Sequence, residues 1–310
     1  MALENIQYRV SPSVWVALGA TCISGAGPLV KAASTGPSTT GFYRTAFAAL
    51  LLFAFGIFGP GKFSRTAQSH KAMWLAIIAG FIFGIDLFAF HHAIVLTGAG
   101  LATLLTNTQV FWVALFASIF FKEALSPLFA FATFGALGGV ALLTVPGIAT
   151  DSLSTVGTLA GLATGLCYAT YILTLRESQT TKYPLPLTIN LGFVSTITSL
   201  VLFTLAILTG EETTIPHWQD FSVFACLAII VHIGGWVFIS LGITRLSVAR
   251  SALLILLQPV LTMIWGVLFF DEPFGKFEFG GTMLTLSAIY LASITTKPKT
   301  GLSQKATATG

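Results

Sequence analysis

Residues 253–273 read Leu-Leu-Ile-Leu-Leu-Gln-Pro-Val-Leu-Thr-Met-Ile-Trp-Gly-Val-Leu-Phe-Phe-Asp-Glu-Pro, and an ungapped echo stands at 104–124 as Leu-Leu-Thr-Asn-Thr-Gln-Val-Phe-Trp-Val-Ala-Leu-Phe-Ala-Ser-Ile-Phe-Phe-Lys-Glu-Ala. A constant offset of 149 superimposes Leu253 on Leu104, Leu254 on Leu105, Gln258 on Gln109, Phe269 and Phe270 on Phe120 and Phe121, and Glu272 on Glu123. Leucine and phenylalanine coincide easily in an apolar chain. A shared mid-run glutamine and a shared terminal glutamate do not, so the echo marks a duplicated half. The chain accordingly divides into residues 1–149, a second copy over 150–296, and a polar tail over 297–310 with the composition of a disordered segment.

With 55% hydrophobic and 8% charged residues and a mean hydropathy of +0.88, the chain has too little polar surface to cover a water-soluble globule. A helical span needs about 20 apolar residues to cross roughly 30 Å of hydrocarbon. Ten such runs are expected, at 12–34, 38–58, 72–95, 99–121, 127–146, 154–175, 186–209, 219–243, 248–270 and 275–295, giving an all-α integral membrane protein. The first run lacks a strongly basic leader and a cleavage site, so it is expected to be retained. Cys22, Cys167 and Cys226 all fall within spans and give no disulfide framework. The pI near 9.0 needs no nucleic acid to explain it, because basic residues mark cytoplasmic loops.

Charge distribution sets the orientation. With the N-terminus inside, Arg9, Lys62, Arg65, Lys71, Lys122, Arg176, Lys182, Arg245, Arg250, Lys297, Lys299 and Lys305 are cytoplasmic, 12 of the 15 basic residues. Lys31, Arg44 and Lys276 are left outside, so the positive-inside rule predicts an N-in, C-in protein. Five spans per half is an odd number, so the second copy enters from the opposite side and the repeats are inverted. Such repeats belong to transporters whose site lies near the midplane, where the halves meet. Trp15, Trp74 and Trp218 lie near span ends and read as interfacial anchors. Gly157, Gly161 and Gly165, like Gly80 and Gly84, form small-residue stripes that suit close helix packing.

Gln109 and Gln258 each fall about ten residues into their spans, which at 1.5 Å per residue is the midplane. Each either meets a solute, with Asn107 beside Gln109, or satisfies a carbonyl freed by a kink such as the one Pro259 creates. Trp112, Trp236, Tyr168 and Tyr171 lie inside spans, where rings line a cavity or pack helices. His232 stands four residues before Trp236 on the same face. It lines the cavity or bonds another helix. Asp86 is a carboxylate well inside a span, within reach of Arg44, Lys31 and His91 at the outer side; the group reads as a gate, as a static ion pair or as a proton-coupling site. Gly25, Gly27 and Pro28 break the first helix and provide a hinge.

The chain resembles the drug/metabolite transporter superfamily in its ten-helix EamA form. The features that carry the resemblance are Gly41-Phe42-Tyr43-Arg44, the small residues Gly98 to Ala102, Glu123, Ala249-Arg250-Ser251-Ala252, Gln258-Pro259 and Asp271-Glu272-Pro273. Val110 stands where the family usually has a proline. The resemblance implies a secondary transporter of small metabolites, and the aromatic-rich spans point within it to the YddG type of amino-acid exporter.

Five histidines without repeated His boxes, a His-Glu-x-x-His or a Gly-x-Ser-x-Gly motif argue against an enzyme and call for no metal or cofactor. A channel would show a continuous polar stripe along several helices. The first span lacks the midplane acid expected of a cationic-drug antiporter, and no deep Lys or Arg suits a phosphate. The expected function is alternating-access export of neutral or aromatic amino acids across the plasma membrane, the inner membrane in a bacterium. Carriage of another metabolite or drug-like solute, or a receptor or scaffold role, are the alternatives. The expected partners are a small-molecule substrate and lipid, and the architecture is compatible with a monomer.

Overall fold

The computed structural model describes residues 10–58, 70–122, 125–144, 155–215, 217–270 and 274–295. Among them the chain is helical, with no strand. In order stand α1 (Pro12–Ser24), α2 (Ala26–Lys31), α3 (Pro37–Phe58), α4 (His70–Asn107), α5 (Gln109–Phe121), α6 (Pro127–Thr144), α7 (Thr155–Thr180), α8 (Leu187–Leu208), α9 (Gln219–Cys226), a π-helical segment (Leu227–Gly234), α10 (Gly235–Ile243), α11 (Val248–Ile255), α12 (Leu257–Phe270) and α13 (Lys276–Thr295). Glu123, Asp271 to Pro273, Arg9, Lys62, Arg65 and the tail lie outside the described residues, as do the side chains of Pro28 and Lys31.

Seven described stretches are long and apolar enough to cross a bilayer, and Pro12–Ser24 and Pro127–Leu143 are shorter apolar helices. The outer surface carries Leu50, Phe55, Phe58, Phe120, Phe131, Phe134, Leu208 and Phe269, all exposed. Apolar groups at that density require lipid as solvent, because water would drive them together. This is a multi-pass membrane protein.

The interior is built for close helix approach. A side chain at Gly157, Gly161 or Gly165 of α7 would strike Leu96 and Thr97, Leu105, and Thr108 respectively. These contacts also define the path of α4. Lys71 pairs with Glu177, Phe83 stacks on Tyr171 and Thr97 meets Gly157, after which Leu105 meets Gly161 and Thr108 meets Gly165. Level along α7 falls and then rises again, so the helical stretch His70–Asn107 is two legs that pack on α7 in opposite directions.

Helices that begin 149 residues apart also pair. α6 starts at Pro127 and α13 at Lys276, and the two pack antiparallel, with Gly135 against Ala288, Gly139 against Thr285 and Leu143 against Gly281. The Thr285 hydroxyl donates to Ala136 O at 3.4 Å, joining residues 149 apart. α3 and α8 pack in the same sense: Gly41 meets Leu202, Phe53 meets Phe193 and Gly56 meets Ile189.

Trp15 departs from its sequence reading. It is buried and stacks on Phe238 at 5.5 Å, because α1 is enclosed by α10 and α11 rather than reaching an interface with that ring, whereas Trp74 and Trp218 are exposed.

Replacing Gly161 by leucine should lower thermal stability in detergent by about 1–3 kcal/mol. Gly280→Ala, where a Cβ meets nothing within 4 Å, should leave it unchanged or slightly higher.

Candidate functional site

Three helices bring an aromatic cage together. The Phe83 ring of α4 lies face to face with Tyr171 of α7 at 4.3 Å, and Trp236 of α10 closes edge-on against both, at 5.2 Å from Phe83 and 4.7 Å from Tyr171. Tyr168 lies one turn before Tyr171, 6.1 Å from Trp236, with the Gln258 side chain of α12 beside its hydroxyl but not hydrogen-bonded to it. His232 meets Phe83 at 6.1 Å and exchanges a 2.9 Å hydrogen bond through Nε2 with Ser195 of α8. The π-helical segment carries His232 into place: its wider turn redirects a side chain that a regular helix would aim elsewhere.

Beside the cage lie two charged groups. Asp86 follows Phe83 by three residues and shares its face; it is 4% exposed, and Arg44 of α3 is 8% exposed. Arg44 is within electrostatic range of Asp86, His91, Tyr171 and His232, and Asp86 within range of Tyr168. Among the described residues no ion pair joins Asp86 to Arg44. Arg44 Nε, Asp86 Oδ1, His91 Nδ1, the Tyr171 hydroxyl, His232 Nδ1 and Gln258 Nε2 are all buried without a hydrogen-bond partner. Buried polar atoms are almost always bonded, so a cluster of unbonded ones marks a place where something else supplies the partners.

The model of the EamA-like transporter family matches twice, over residues 11–145 and 155–294. The chain belongs to the EamA-like transporter family. That family is one of membrane transporters, within the drug/metabolite superfamily. The transporter is 25% identical over 270 residues to a WAT1-related chloroplastic protein of Arabidopsis thaliana, covering 84% of this chain and 63% of that one. An uncharacterized transporter of Synechocystis is 26% identical over 238 residues, covering 75% of this chain and 70% of its own length. The transporter thus spans less than two thirds of the plant relative. A crystal structure of a protein 17% identical shares the fold at a TM-score of 0.76, over 91% of the transporter and 96% of that chain.

Other sequence-picked residues stand apart from the cage. Gln109 is fully buried, and its Nε2 donates to Ala252 O at 3.4 Å. That carbonyl is available because the Leu256 N–H turns to Leu253 O at the break between α11 and α12, ahead of Pro259. Asn107 donates to Thr103 O of its own helix at 2.8 Å. Trp112 packs in a separate apolar cluster with Val110 and Phe129. The helix break at Gly25 is held from the other half: Thr262 donates to Ser24 O at 3.0 Å and Trp265 Nε1 to Ser24 Oγ at 2.8 Å. Gly27 faces Thr262 there.

Sequence reasoning passed over Ser24, Ser195, Thr262 and Phe83. The spacing of Gln258, Thr262 and Trp265 at i, i+4 and i+7 was the available signal for one helix face. It also passed over Glu211 and Asp220. The Asp220 carboxylate accepts from Ser34 N at 3.0 Å and Ser34 Oγ at 2.6 Å, and Glu211 accepts from Ser38 N and Thr39 N at 3.1 Å. These bonds tie Ser34 of the α2–α3 connection to the first turn of α9, and the first turn of α3 to Glu211 of the α8–α9 connection. At the far end of the bundle, Lys71 meets Glu177 at 3.0 Å and Gln179 donates to Ser240 at 2.9 Å.

Removing the Tyr171 hydroxyl with Tyr171→Phe should leave thermal stability unchanged or raised, since that group has no partner to lose. Gln109→Ala orphans Ala252 O and should lower stability by about 1–3 kcal/mol. Melting curves of the purified variants check both.

Proposed function

We propose that this EamA-family protein is a ten-span carrier of two inverted five-helix halves, N-in and C-in in the plasma membrane. It exports neutral amino acids, aromatic ones foremost, by alternating access. The observation that carries the reading is the cage itself, in which four rings stand beside polar atoms lacking partners. Apolar walls with a few convergent polar groups suit an amphipathic solute.

Two further observations support the inverted halves. Phe83 and His232 are 149 residues apart, and their rings lie 6.1 Å from one another. Helix pairs with the same offset run antiparallel, as an inversion requires. In this reading Tyr168, Tyr171, Trp236, His232 and Gln258 touch the solute, while Gln109, Asn107 and Trp112 serve the frame. Gly25 and the break ahead of Pro259 are the hinges. The Glu211 and Asp220 ties close the outer side, and the Lys71–Glu177 and Gln179–Ser240 contacts the inner one, so transport alternately opens each set.

Purified protein in liposomes should release preloaded labelled phenylalanine and leucine saturably, and labelled glutamate far more slowly. Absence of protein-dependent flux of any neutral amino acid from folded, inserted protein would refute the substrate assignment.

A further inference from the structure

We propose that Asp86 and Arg44 form a clamp for a zwitterion, Asp86 receiving the ammonium and Arg44 the carboxylate, with the side chain held in the Phe83, Tyr168, Tyr171 and Trp236 cage. The inference rests on the carrier reading above and names the head-group recognition within it.

Two opposite charges buried in one protein interior normally find each other, because an isolated charge in a low-dielectric surrounding is strongly unfavourable. Here they do not. Asp86 and Arg44 are each more than nine-tenths buried and lie within electrostatic range, yet no ion pair joins them, and Asp86 Oδ1 and Arg44 Nε make no hydrogen bond. Asp86 is fixed on α4 by the packing of Phe83 against α7 and α10. Arg44 sits on α3, where Gly41 meets Leu202 of α8 and the next residue, Thr45, bonds back to Gly41 O at 2.8 Å.

An α-amino acid carries the matching arrangement, one cation and one anion on adjacent groups. Inserted between the two residues, it would give each buried charge the counter-charge it lacks, with guanidinium donating to carboxylate and ammonium donating to carboxylate. The ring faces beside Asp86 add attraction for the ammonium. His91 Nδ1, His232 Nδ1 and the Tyr171 hydroxyl supply further polar atoms around the same head group. A solute with only one of the two charges would leave the other protein charge uncompensated, which is a basis for selecting zwitterions.

Competition against labelled phenylalanine on the purified full chain tests this without relying on any one variant. On the wild type, phenylalanine should compete about tenfold or more better than phenethylamine, which lacks the carboxylate, and 3-phenylpropionate, which lacks the ammonium. Asp86→Asn should abolish the preference for phenylalanine over 3-phenylpropionate, and Arg44→Gln the preference over phenethylamine. Asp86→Glu and Arg44→Lys, which keep the charges, should retain the wild-type ranking. Equal competition by all three compounds on the wild type overturns the clamp. So do folded neutral variants that keep the wild-type ranking and lose only stability, the signature of a structural pair. Failure of the wild type to bind phenylalanine at all refutes the parent reading, and the clamp falls with it.

Discussion

Hydrocarbon offers no hydrogen bonds, so every break in a membrane helix must be satisfied from within the protein. This transporter meets that demand at its breaks by reaching across helices. Gln109 serves Ala252 O at the α11–α12 break, and Thr262 and Trp265 serve Ser24 beside Gly25. Buried atoms of Trp15, Ser38, Gln109 and Thr282 also lack partners, but those of Arg44, Asp86, His91, Tyr171 and His232 share one electrostatic neighbourhood. They lie together beside one aromatic cage, and the functional reading depends on that concentration.

The frame and the lining differ in symmetry. Equivalent helices pair closely along glycine-lined seams, and Phe83 and His232 meet at positions one repeat offset apart. The charges have no such twins: the offset sets Phe193 against Arg44 and Gly235 against Asp86. Beside the cage, the two charged groups both come from the first half. A head group with an ammonium at one side and a carboxylate at the other is likewise unsymmetrical, which is what the proposed clamp matches.

Much of the helix layout was legible because lipid imposes one strong rule: apolar runs of membrane length must be helical. The expected spans at 219–243 and 248–270 coincide with the described helical stretches, and the offset read from Gln109 and Gln258 recurs in the starts at His70 and Gln219. The interior was less legible. A glutamine at the midplane reads alike whether it faces a solute or a freed carbonyl, and only the turn of the Leu256 N–H to Leu253 O decides what Gln109 does. Trp112 and Trp236 are both mid-span tryptophans, and which one joins the cage depends on helix rotation. The π-helical segment that carries His232 leaves no mark in residue type.

The most direct measurement is an experimentally determined structure with phenylalanine bound. The ring should lie among Phe83, Tyr168, Tyr171 and Trp236, and the head group within hydrogen-bonding distance of two or more of the atoms that now lack partners. Phenylalanine bound elsewhere, with Asp86 and Arg44 closed on each other, would contradict it.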